Sequence, residues 1–185
     1  MEFDYVIVGG GSAGCVLANR LSADPAVTVC LLEAGGEDRN PWIHVPVGYV
    51  KTMTDPSVNW LFSTEPEAGA SGRRLPIPRG KVLGGSSAIN GMLYVRGQAR
   101  DYDTWSQLGC IGWSFDDVLP YFKKGETCER GADDFHGGDG PLNVALPTVR
   151  YPLLDKVVEA GGALGYPTHH CLLYTSDAAD ESVCV

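Results

Sequence analysis

The stretch Asp4-Tyr5-Val6-Ile7-Val8-Gly9-Gly10-Gly11-Ser12-Ala13-Gly14 decides the fold, together with the segment that follows it as far as Glu33. Residues Asp4 to Val8 form a short apolar run of the kind that a buried parallel strand carries. Three glycines break the run, and Ser12 to Leu21 then reads as a helix, with Ala13, Val16, Leu17 and Leu21 at helical spacing. Asp24-Pro25 predicts a turn, and Val27 to Leu32 predicts a second apolar strand that ends at Glu33. Strand, helix and strand make one β-α-β unit of roughly 30 residues, the smallest dinucleotide-binding module.

Within that unit, Gly9-x-Gly11-x-x-Gly14 falls between a strand and a helix, which is the context that gives the pattern meaning. Gly9 permits the tight turn, Gly11 lets backbone approach a pyrophosphate, and Gly14 lets the helix pack closely on the strands. The helix N-terminus presents unpaired N–H groups and a partial positive charge to phosphate oxygens. A carboxylate at Glu33 can accept hydrogen bonds from ribose hydroxyls and would repel a 2′-phosphate, which disfavours NADP. FAD and NAD share an ADP moiety, so this motif alone leaves both open.

Beyond Glu33 the periodicity weakens. Residues 34–80 read as an extended segment with short helices and turns. Ala99–Gln107 and Phe115–Lys124 read as short helices, the second capped by Ser114 or Asp116. Asp133–Gly140 reads as a polar loop and Leu142–Ala145 as a short strand. Leu153–Leu164 reads as an amphipathic helix with Leu154, Val157, Val158 and Leu164 turned inward.

A second glycine-rich stretch runs Pro78-Arg79-Gly80-Lys81-Val82-Leu83-Gly84-Gly85-Ser86-Ser87-Ala88-Ile89-Asn90-Gly91-Met92-Leu93-Tyr94-Val95-Arg96-Gly97. It resembles the first signature of the glucose–methanol–choline (GMC) oxidoreductases, with Asp103 at that pattern's last polar position. Asn59-Trp60, Gly72-Arg73-Arg74, Asp101-Tyr102-Asp103-x-Trp105 and Gly112-Trp113-Ser114 extend the resemblance from about Asp4 to about Pro167. Bacterial choline-dehydrogenase-like and alcohol-dehydrogenase-like members are the most similar in pattern.

The resemblance implies an α/β fold: a Rossmann-like FAD-binding β-α-β unit with an extended loop and short helices, forming an incomplete GMC FAD-binding domain. It implies FAD as cofactor, an alcohol or choline-type substrate, and a quinone, another carrier or oxygen as electron acceptor. It places along the cofactor Gly9, Gly11, Ser12, Ala13, Gly14, Glu33, Ala34, Trp60, Val82, Gly84, Gly85, Ser86, Asn90, Gly91 and Leu93. Small residues at Gly84-Gly85 let backbone lie against a flat ring or a pyrophosphate. Ser86 and Ser87 can donate to phosphate or flavin oxygens, and Asn90 offers a donor and an acceptor. Some members bind FAD covalently through a histidine beside that asparagine; here the neighbour is Ile89, so FAD is expected to be held noncovalently. The family's base is a histidine with a second histidine or an asparagine, near the end of a much longer chain. None of His44, His136, His169 and His170 matches it, so none is assigned as catalytic. Two rival readings remain: a noncatalytic FAD- or ADP-binding module, and an NAD-dependent Rossmann dehydrogenase, against which the second glycine stretch argues.

Composition sets outer limits. A net charge of -9 disfavours a nucleic-acid partner. No apolar run is long enough to span a bilayer, and the first residues lack a basic and apolar leader, so a cytoplasmic location is the default expectation. Membrane association of the intact enzyme is not indicated. The six cysteines contain no C-x-x-C pair, and Cys15 and Cys30 read as small buried apolar residues. His169-His170 has no partners at metal-ligand spacing, and no metal is expected. Trp105 and Trp113 read as packing anchors. Residues 1–170 are read as the N-terminal FAD-binding domain. The run Cys171–Glu181 resembles a translated sequencing-library adapter, so 171–185 are read as a non-native tail.

Overall fold

A computed structural model describes residues 2–146 and 151–166. His169, His170 and the 171–185 tail lie outside the described residues. The chain divides into two units, Met1–Leu93 and Tyr94–Val185.

In the first unit, β1 (Tyr5–Val8) leads through α1 (Ser12–Leu21) to β2 (Val29–Leu32). The strands pair in parallel, from Tyr5 with Val29 to Val8 with Leu32. Asp4 fixes that register at its outer end. Thr28 N–H and Thr28 Oγ1–H both donate to Asp4 Oδ2 at 2.7 Å, and Asp4 N–H donates to Thr28 O at 3.0 Å. α1 packs on both strands. The expected β-α-β unit is therefore present, with the helix bounds as anticipated.

Burial departs from expectation. Only Ile7 of β1 is buried, while Val8 is 84% exposed and Val6 57%. A parallel strand needs neighbours on its faces and edges, and this sheet has two strands among the described residues. Cys15 and Cys30, expected to be buried, are half-buried and carry free thiols.

Residues 41–52 form two short 3-10 turns and the single-turn helix α2 (Tyr49–Thr52). Two strands of two residues each, β3 (Phe62–Ser63) and β4 (Pro76–Ile77), pair antiparallel. The core of this unit is Val58, Val82 and Ile89, with Ile43 and Ala88 packed against it.

In the second unit, α3 (Ala99–Gln107) and α4 (Phe115–Gly125) follow each other and pack together. Each starts at a reciprocal cap, Gln98 with Asp101 and Ser114 with Asp117. Buried Tyr102 gathers the aromatics, with ring centroids 5.4 Å from Trp105 and 5.6 Å from Phe122. Trp105 in turn meets Trp113 edge-on at 6.2 Å. The short strands β5 (Glu126–Cys128) and β6 (Leu142–Val144) pair in parallel.

Arg96 and Glu126 form a buried ion pair beside β5, with Nη2 2.7 Å from Oε2. Arg96 Nη1 donates to Phe135 O at 2.7 Å, and Glu126 Oε1 accepts from Gly137 N–H at 3.0 Å. The pair thereby binds the 133–137 loop to β5. A buried pair of this kind offsets its desolvation only when its other polar atoms are also engaged.

The last helix, α5 (Pro152–Ala163), buries no residue. The inward positions expected at Leu154, Val157, Val158 and Leu164 are not realised: Val158 is half-buried, and Leu164 is 78% exposed. An amphipathic stripe is buried only when another element faces it, and none does so among the described residues.

Candidate functional site

The turn after β1 does what its glycines allow. Gly9 adopts φ +101°, a conformation that L side chains rarely take. A Cβ on Gly14 would collide with Gly9 O. The first turn of α1 can therefore press against the strand end only because position 14 is bare. Gly9 N–H donates to Leu32 O at 2.7 Å, which ties the turn to β2.

Among the described residues no side chain caps the N-terminus of α1, and its first turn contains no acidic residue. The first-turn N–H groups at Ser12 and Ala13 have no intrahelical acceptor, and both residues are exposed. This end of the helix presents donors and the positive end of the helix dipole to whatever approaches.

Glu33 braces the loop. Its Oε2 accepts from Gly10 N–H at 2.7 Å and its Oε1 from Gly35 N–H at 2.8 Å. Each carboxylate oxygen retains lone-pair capacity beyond these bonds, so ribose hydroxyls can still donate to it. The sequence pointed to Glu33 as a hydrogen-bond acceptor for ribose hydroxyls; it carried no sign of the brace to Gly10 and Gly35.

The second glycine stretch docks directly on the first. Gly84 N–H donates to Gly10 O at 2.7 Å, and Leu83 N–H donates to Gly36 O at 2.8 Å. Gly36 and Val82 form a parallel bridge. Gly85 adopts φ +56°, and a Cβ on it would fall 2.8 Å from Gly11 Cα. Gly35 lies so close to Lys81 main chain that a Cβ there would overlap it. Two runs distant in sequence thus become one surface of bare backbone beside an uncapped helix end. An ADP moiety needs such a surface, and the residues present fit one.

Other residues expected at the site take several positions. Val82 is 1% exposed and packs in the core, so its side chain is closed to a ligand and only its main chain faces the junction. Ser86 is half-buried and accepts from Gly80 N–H at 3.1 Å. Trp60 stacks on Phe62 at 5.7 Å, and Lys81 Nζ lies 4.7 Å from the Trp60 ring centroid. Asn90 Oδ1 accepts from Met92 N–H at 2.9 Å, and Met92 takes φ +59°. Ala34, Asn90, Gly91 and Leu93 are exposed. None of Trp60, Asn90, Gly91 and Leu93 hydrogen-bonds the phosphate loop among the described residues.

Sequence reasoning missed Gly10, Gly35 and Gly80. Their signal was present as a glycine inside the first motif, one just past Glu33 and one near the start of the second stretch, but only the folded backbone shows which main chains they let meet.

Against this geometry, a match to the GMC oxidoreductase family covers residues 3–185. The chain belongs to the GMC oxidoreductase family. Among curated GMC relatives, the oxygen-dependent choline dehydrogenase of Sinorhizobium fredii (strain NBRC 101917 / NGR234) is 49% identical over 166 residues. That match covers 90% of this chain and 30% of the relative. Among solved structures, pyridoxine 4-oxidase from Mesorbium loti superposes with a TM-score of 0.83 at 42% identity, covering 90% of this chain and 33% of that one. An FAD-dependent oxidoreductase from Chaetomium thermophilum gives 0.75 at 33% identity, covering 90% and 30%. The chain therefore spans about a third or less of the length of these GMC relatives.

Among the described residues no cluster of His, Cys, Asp or Glu could hold a metal ion, and no helix is long and apolar enough to cross a membrane. His136 is paired with Asp133, its Nδ1 2.8 Å from the carboxylate, and His44 Nε2 meets Asp38 O at 2.6 Å. Both imidazoles serve their own loops.

Proposed function

We propose that this chain is the FAD-binding N-terminal part of an oxidoreductase acting on CH–OH groups, with residues 1–170 as that domain and 171–185 as a non-native tail. The observation that carries the reading is the docking of Gly84-Gly85 on Gly10-Gly11 beside the open end of α1. Relatives named as choline dehydrogenases and FAD-dependent oxidoreductases support it.

In this reading the bare backbone at Gly9 and Gly11 and the Ser12 and Ala13 N–H groups hold the pyrophosphate. Glu33 orients the adenosine ribose and excludes a 2′-phosphate by charge. Gly84, Gly85 and Ser86 extend the cradle toward the ring, with Asn90, Gly91 and Leu93 beside it. FAD, once bound, supplies the hydride acceptor for oxidation of the alcohol carbon. Ile89 has no nucleophile and is buried in the core, which supports noncovalent retention. The catalytic base is assigned to the part of the relatives' length that this chain does not span. Choline or another small alcohol is the substrate, and a quinone, another carrier or oxygen is the acceptor. The cytoplasm is the proposed location.

The test is anaerobic mixing of the protein at its natural length with choline and a panel of primary alcohols, followed by a dye acceptor. Bleaching of bound flavin and dye reduction by an alcohol are expected. Flavin that is bound but never bleached would mark a binding module. Binding of NAD in place of flavin would mark a nicotinamide dehydrogenase.

A further inference from the structure

Asn59 is 2% exposed, and both ends of its amide are engaged by main chain. Its Nδ2 donates to Met53 O at 2.9 Å and to Thr52 O at 3.4 Å. Its Oδ1 accepts from Leu61 N–H at 2.9 Å and from Arg79 N–H at 3.0 Å. One side chain thus joins the end of α2, the turn into β3 and the start of the second glycine stretch.

From Arg79 the contacts run by bare backbone to the phosphate loop. Gly80 pairs with Asn59 in an antiparallel bridge. Trp60 N–H donates to Arg79 O at 2.9 Å, and Lys81 N–H donates to Val58 O at 2.8 Å. A Cβ on Gly80 would overlap Gly85 O, and a Cβ on Gly85 would fall 2.8 Å from Gly11 Cα. The nearest atoms at both contacts are main chain, and close-packed interiors transmit strain.

We propose that Asn59 is a positioning residue for cofactor binding: its amide sets the seating of Gly84-Gly85 on Gly10-Gly11, and thereby the affinity for the dinucleotide. The inference rests on the FAD reading above. It acts through the backbone and needs no contact between Asn59 and the cofactor.

The position requires a donor on one side and an acceptor on the other, both neutral. An isosteric aspartate meets that requirement only when protonated. The acid form donates its O–H to Met53 O while the other oxygen accepts from Leu61 and Arg79. The ionised form sets a bare oxygen against two carbonyls in a dry site. Burial and those carbonyl dipoles both disfavour the charge and raise the pKa of such a group. The charged groups in the flanking segments are Lys51, Asp55, Arg79 and Lys81. Asp55 is engaged with Asn40 and Ser57, and Lys81 lies over Trp60. Among the described residues, Arg79 reaches the Asn59 amide through its main-chain N–H, and none of these four charged side chains hydrogen-bonds it.

The experiment measures FAD affinity against pH for the natural-length wild type, Asn59→Asp and Asn59→Leu, with far-ultraviolet circular dichroism on each sample. Asn59→Asp is expected to bind within a few-fold of wild type at acidic pH and to weaken tenfold or more as pH rises, with its secondary structure retained. Asn59→Leu is expected to be weak at every pH. An Asn59→Asp variant that tracks wild type throughout overturns the proposal. Loss of secondary structure in step with loss of flavin also overturns it, because the role would then be global folding. A wild type that ignores FAD at every pH overturns the cofactor reading itself.

Discussion

At the scale of single residues, the junction of the two glycine stretches has places where one added carbon is too many. Gly85 combines φ +56° with a neighbouring Gly11 Cα only 2.8 Å from where its Cβ would stand. A left-handed non-glycine residue costs about 1–2 kcal/mol, and overpacking backbone against backbone adds about 1–3 kcal/mol. In the protein at its natural length, Gly85→Ala is expected to lose flavin affinity and lower the unfolding midpoint by several degrees. Gly69 has open space around it and no positive φ, so Gly69→Ala serves as the control and is expected to leave both unchanged. Equal behaviour of the two variants in a thermal melt with added FAD would contradict this. Gly9, Gly11 and Gly14 were readable from sequence as a motif, because their spacing falls between a readable strand and a readable helix. The partner of each glycine was not readable. The meeting of Gly11 with Gly85 is a long-range event that no local pattern encodes.

Among elements, legibility followed locality. The bounds of α1 and α3 match expectation because periodicity and flanking breakers are local signals. Ser114 was one of two candidate caps for α4, and its reciprocal bonds with Asp117 decide between them. The β3–β4 hairpin went unread because two-residue strands, one of them containing Pro76, carry no alternation to detect. β5 went unread for a similar reason, since Glu126 is a buried charge that makes sense only opposite Arg96. α5 was read as a helix, and its expected inward face stays unburied because no element among the described residues covers it.

One pH prediction belongs at this scale. Asp4 ties β1 to β2, and its carboxyl is held below its ordinary value of 3.8 by the bonds from Thr28, first the backbone N–H and then the hydroxyl. A lowered folded-state value means that the contribution is complete above 3.8 and is lost as pH falls below it toward the folded value. Asp4→Asn is expected to flatten the acid limb of the stability–pH curve and to leave the neutral region little changed. An acid limb identical to wild type in denaturant titrations would refute the pinning role.

Across the whole molecule, the apolar surface is the informative feature. Val6 and Val8 on β1 and Leu153 and Leu164 around α5 stand in solvent, and an uncovered strand edge invites association. Expressed alone, the 185-residue chain is expected to bind hydrophobic dyes, to aggregate, and to lack a cooperative unfolding transition. A sharp two-state melt of that chain would show the surface to be harmless. At this scale the sequence announced the family and the cofactor class through its two glycine stretches. It did not announce that they form one continuous cradle, because their junction is made of main-chain bonds, which side-chain chemistry does not advertise.

The most direct test is the visible spectrum of the purified protein at its natural length, before and after denaturation. The absorbance bands of bound flavin are expected at near-stoichiometric occupancy, with the chromophore released as free FAD on unfolding. A colourless protein that leaves the fluorescence of added FAD unquenched would contradict the FAD reading.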